Sequence, residues 1–215
     1  SFDGMANVTY DGTRLNANAG DANGTAIGTR AGATNTTGVM IGYEAGYGVT
    51  AASQAYSIRI GRHAGLQAAG GNDVIIGHAA GQYTKATSSS VLIGYETCRN
   101  PSQLATFNTF SAVVIGHLAG RQAMACQTAV MIGVSAGSNS TGGACDSIGA
   151  VLVGWSAASA SLNHRESVIL GNQAGQSCSS NYSVYVGAYA GQNTSGSYNV
   201  FLGYEAGKSL NQANT

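Results

Sequence analysis

The sequence predicts an all-β chain wound into a single parallel β-solenoid of about eleven coils, a β-roll. Three observations predict it. A short unit recurs eleven times along the chain. Glycine contributes 32 of the 215 residues and proline one, a balance that suits many tight turns. Hydrophobic residues make up 44% and charged residues only 8%, which argues against a flexible glycine-rich linker and for stacked β structure.

The unit is three apolar residues, Gly, two variable residues, Ala and Gly. Its copies read TAIGTRAG, VMIGYEAG, IRIGRHAG, VIIGHAAG, VLIGYETC, VVIGHLAG, VMIGVSAG, VLVGWSAA, VILGNQAG, VYVGAYAG and VFLGYEAG. Successive first glycines, from Gly28 to Gly203, lie 14 to 22 residues apart. That period is too short for a helical hairpin repeat or a propeller blade and suits one solenoid coil. Val, Ile and Leu before the glycine favour a strand. The Ala-Gly pair fits a tight corner, with Gly supplying positive φ and Ala small enough to point inward. Cys98 and Ala158 replace the second glycine, so that corner accepts a small Cβ in two coils. The last copy runs into Lys208-Ser209 and imitates a phosphate loop, but only three residues separate its glycines where that loop needs four.

Two regions are distinguished: residues 1–24, which do not fit the unit and are read as a cap or junction, and residues 25–215, the repeat domain. Longer intervals mark loop insertions near residues 47–57, 99–111 and 138–149. Within each strand, period-two alternation separates the middle residue from its two neighbours. The first and third residues are expected to line the interior with the corner Ala, leaving the middle residue outside. Met40, Ile75, Leu92, Val114, Met131, Leu152, Ile169, Tyr185 and Phe201 hold that middle position, with Arg59 as the polar exception. An outward apolar stripe of that length exceeds what soluble monomers usually expose, so these residues are expected to form the interface of a homotrimer.

A second column follows the first glycine: Tyr43, His78, Tyr95, His117, Trp155 and Tyr204. Facing outward, such planar rings are candidate contacts for a receptor glycan, since rings pack on sugar faces and their polar tips bind hydroxyls. Glu44, Glu96 and Glu205 share the next position and are expected to be solvated surface decoration rather than an acid–base pair. Neither catalytic nor metal residues are assigned, and neither cofactor nor enzymatic activity is expected. Cys98, Cys126, Cys145 and Cys178 lack CxxC spacing, and a Cys126–Cys145 bridge stays open. A formal net charge of zero removes the electrostatic case for nucleic acid or an anionic membrane as partner. The first residues lack the basic start and apolar block of a signal peptide.

Copies such as VMIGYEAG, VIIGHAAG and VFLGYEAG resemble the glycine-rich repeats of phage and other viral tail fibres, where IGYxAG recurs. They are also similar to the head repeats of trimeric autotransporter adhesins of the YadA type. The resemblance covers residues 25–207 and implies a left-handed β-roll assembled as a homotrimer. It further implies a non-enzymatic fibre or spike segment in a virion, with other fibre proteins and a host glycan as partners. A bacterial surface adhesin head is the alternative, although the NSVAIG form of the adhesin repeat is replaced here by a longer return.

Overall fold

A computed structural model describes residues 7–8, 15–18, 25–32, 38–48, 56–84, 86–100, 108–122, 125–138, 146–161 and 163–210. Its elements follow the repeat. An antiparallel pair, β1 (Asn7–Val8) and β2 (Leu15–Asn18), precedes β3 (Thr25–Ile27), β4 (Gly38–Ile41), β5 (Ser57–Ile60) and β6 (Val74–Ile76). Next come β7 (Ala86–Ser88), β8 (Val91–Ile93), β9 (Asn108–Phe110), β10 (Val113–Ile115), β11 (Ala125–Gln127), β12 (Val130–Ile132) and β13 (Asp146–Ile148). The last four are β14 (Val151–Val153), β15 (Val168–Leu170), β16 (Val184–Val186) and β17 (Val200–Leu202).

The sheet order β3-β4-β5-β6-β8-β10-β12-β14-β15-β16-β17 is one parallel ladder, each strand being the apolar triplet of one repeat copy. Register is in phase throughout: Val91 opposes Val113, Val113 opposes Val130, and Val168 opposes Val184. The molecule is a parallel β-solenoid of repeated coils of about 17 residues. β7, β9, β11 and β13 form a second parallel sheet on the return path of four consecutive coils. β2 pairs antiparallel with β3, so the hairpin of the 1–24 region lies along the first rung. Most of each long insertion, and Cys145 with it, falls outside the described residues.

The two faces of the triplet are the reverse of the sequence expectation. Met40, Ile75, Leu92, Val114, Met131, Leu152, Ile169 and Tyr185 are fully enclosed within the single chain, and Phe201 packs against the same core from the last rung. They are core residues, not the interface assigned to them. The triplet's first and third residues are the ones half-exposed outside: Val91 and Ile93 flank buried Leu92, and Val168 and Leu170 flank buried Ile169.

The reason is space. Alternation places the residue before the strand and the glycine after it on the same face as the middle residue. From Ser57 to Ser183 the preceding position reads Ser57, Asp73, Ser90, Ala112, Ala129, Ala150, Ser167 and Ser183, all buried. The corner alanines Ala45, Ala64, Ala80, Ala119, Ala136, Ala157, Ala174 and Ala190 are buried too. An interior already narrowed by these small residues admits one large side chain per rung on this wall. The serines also link coils. Ser183 N–H donates to Ser167 Oγ at 3.2 Å, and Asn199 N–H donates to Ser183 Oγ at 3.1 Å.

The first glycine sets how closely coils approach. At Gly116, φ is +140°, and an added Cβ would lie 2.2 Å from the Gly133 carbonyl oxygen of the next coil. The same clash recurs up the ladder until Gly203, whose Cβ would meet nothing. At the second glycine an added Cβ would press on the coil's own middle residue, as at Gly191 against the Tyr185 ring. Cys98 and Ala158 adopt the left-handed backbone there at φ 50° and 52°. In both of those coils the middle residue is leucine, which no other copy has.

Candidate functional site

The surface between the two glycines is a second ladder. The second variable residue takes positive φ in every copy, including Arg30, Glu44, His63, Glu96, Leu118 and Gln173. This left-handed step turns its N–H toward the previous coil: Glu96 N–H donates to the His78 carbonyl, and Leu118 N–H to that of Tyr95, both at 2.9 Å. Residues after the first glycine are thereby held in line one rung apart. No glycine marks the left-handed step, so sequence reasoning had no signal for it.

On this ladder the rings stack. His78 and Tyr95 have centroids 5.1 Å apart at an interplanar angle of 10°, and Tyr95 and His117 lie 5.1 Å apart at 12°. His63 continues the series toward Tyr43, with centroids 6.1 Å from His78 and 5.5 Å from Tyr43. The structure therefore brings together four of the six predicted glycan contacts, Tyr43, His78, Tyr95 and His117, and adds His63. It interrupts the row at Val134. Beyond it, Trp155 is half-exposed with no stacked ring among the described residues, and Tyr204 meets Tyr189 edge-on at 5.9 Å. Both faces of Tyr95 are covered by its neighbours, so only ring edges are presented outward within the stack.

The charges beside the rings are more ordered than expected. Glu44 pairs with Arg30 at 2.7 Å and faces His63 at 3.4 Å. Glu96 pairs with Arg99 at 2.7 Å and Arg121 at 3.0 Å, and its side chain is largely covered. These two glutamates are thus ion-paired wall residues and not solvated decoration; Glu205, bound to Lys208, is the exposed one. Desolvation, reinforced by Arg62, pushes the His63 pKa below the usual histidine value.

Arg59, Asp73 and His164 lie inside the coil. Arg59 occupies a middle position and donates to the carbonyls of Gly65 and Ala68 at 3.1 Å and of Gly70 at 3.0 Å. Burial lowers its pKa to about 10, against the opposing pull of Asp73. Burial likewise raises the Asp73 pKa, although its Oδ1 accepts the Ser90 N–H at 3.0 Å. His164 is fully enclosed, 4.0 Å from Cys178 Sγ, and burial lowers its pKa to about 4.

A second surface is the outer face of the triplets, one glycine before the ring column in each coil. Its two columns carry Val, Ile or Leu at every rung except Thr25. At about 4.8 Å per rung the strip is roughly 50 Å long. It contains no charged side chain.

No family model matches this chain, and neither a curated protein nor a solved structure matches it. Fold and surface together define a class, the parallel β-solenoid repeat proteins.

Proposed function

We propose that this chain is a non-enzymatic structural segment of a fibre or spike, assembled as a homotrimer through the outer strip. The single observation behind this reading is that strip. It holds two aliphatic side chains per rung, half-covered by their stacked neighbours, and reaches several hundred Å² of continuous apolar surface. Burying it against identical copies removes it from water without bringing any charge into the interface. The ladder along the axis then serves as a rigid shaft, since every coil is tied to the next by backbone hydrogen bonds. The two carboxylates bordering the rings support a non-catalytic reading, because Glu44 and Glu96 are consumed in ion pairs.

The repeat's resemblance to tail fibres favours a virion, bacteriophage in particular, with left-handed coiling and neighbouring fibre proteins as partners. The second reading, a bacterial adhesin head, rests on the similar coil and is separated by genomic context: tail genes or an outer-membrane anchor beside it. The deciding experiment is light scattering on the whole chain at micromolar concentration. A mass three times that of one chain is expected. A folded monomer would overturn the proposal.

A further inference from the structure

The ring ladder carries a chemistry that stacking on sugar faces does not describe. Along one line the surface presents Tyr43, the Arg62 guanidinium, His78, Tyr95 and His117, each one rung from the next. Tyr43, Arg62, Tyr95 and His117 are exposed. Since the stacked rings cover one another's faces, their hydroxyl and imidazole edges make a row of hydrogen-bonding groups about 5 Å apart. The cations Arg30, Arg62, Arg99 and Arg121 border this stretch against the anions Glu44 and Glu96. Both glutamates are held by arginines, whereas Arg62 has no carboxylate partner among the described residues, its guanidinium carbon sitting 5.9 Å from the Tyr43 ring centroid. The chain as a whole is neutral, so this excess of positive charge is local.

We infer that the Tyr43–His117 ladder binds a linear acidic polysaccharide laid parallel to the solenoid axis. The rung spacing is close to the length of one extended sugar residue, so successive sugars meet successive rungs. Hydroxyls pair with ring edges, and carboxylate or sulfate groups pair with Arg62 and its neighbours. Single-stranded nucleic acid, the other linear polyanion, needs free aromatic faces as stacking platforms. Here those faces are occupied. The inference sharpens the glycan contact expected from the sequence and does not depend on the trimer.

The test is calorimetry on the whole chain with oligogalacturonate, neutral dextran of equal length, and oligothymidylate. Oligogalacturonate is expected to bind, and to weaken with added salt as exposed ion pairs do. Arg62→Ala is expected to lower affinity about tenfold, the loss of one charge-assisted contact. His117→Ala is expected to lower it as well, and Trp155→Ala, off the ladder, to leave it unchanged. Equal binding of dextran, binding of oligothymidylate as tight as that of oligogalacturonate, or wild-type affinity in Arg62→Ala would overturn the inference. The assembled mass of each variant is measured alongside. A chain that binds as a monomer would refute the trimer alone, and a trimer that does not bind would refute the ladder alone.

Discussion

The inner and outer faces of the same three-residue strands follow opposite rules. Inside, one side chain per rung fits among alanine, serine and glycine, and its size and shape are constrained by neighbours in both directions along the axis. Outside, two aliphatics per rung are nearly invariant in type yet stay half-exposed. The contrast teaches that hydrophobicity and burial part company here: the better-conserved apolar pattern within the repeat lies on the face that the single chain leaves half-exposed. An inner residue answers to the coil, and an outer one to whatever covers the rod.

The contrast breaks first at the glycine beside the inner face. Gly116→Ala places a Cβ against the next coil's carbonyl oxygen in a backbone region that disfavours side chains, and about 4 kcal/mol or more of stability is expected to be lost. Gly203→Ala carries only the conformational part, about 1–3 kcal/mol. Urea unfolding of the two variants reads the difference directly. Equal losses would mean that coil-to-coil contact does not set the glycine requirement.

Truncation inside comes next. Ile169→Ala is expected to cost about 3 kcal/mol, because the enclosed cavity has rigid walls. Acid probes the same interior. His164 is held neutral when folded, with a pKa of about 4, whereas the unfolded chain takes up its proton near the ordinary value of about 6.5. Stability is therefore complete above about pH 6.5 and falls as pH drops toward 4, by roughly 3 kcal/mol in total. Denaturation midpoints measured across that window check the slope, and His164→Leu is expected to flatten it.

The outer face gives the smallest effect on the chain itself. Val130→Lys is expected to change its own folding by about 0.5 kcal/mol or less, as for surface positions. The same change is expected to reduce the assembled mass to one chain while leaving the β-sheet circular dichroism intact. A loss of the β signal in place of the mass change would assign Val130 to the fold and remove it from the interface.

Much of this architecture was legible in the residues. The eleven triplets, their glycine corners and the inward alanine all fall where the repeat places them. The face with more apolar side chains is the outer one, contrary to what hydrophobicity alone predicts. The correcting signal was present: the residue before the triplet is Gly, Ala or Ser in every copy but two, Asp73 and Asn199, and it shares a face with the middle position and the first glycine, so that face had to be the crowded one. The ring column was legible as a column, but which of its rings stack was not. Stacking depends on a left-handed step taken by residues as different as Glu96, Leu118 and Gln173, for which no single residue type is diagnostic. The ion pairs of Glu44 and Glu96 were hidden likewise, since their arginines come from different repeat positions.

The glycine column has a consequence for how such a rod changes size. Because every rung seats on its neighbour through the same backbone contact, inserting or deleting one whole unit alters the length by a fixed step of about 4.8 Å and leaves all other seats as they were. Extent is thus written as a copy number, a quantity that gene duplication can tune without redesigning a single contact.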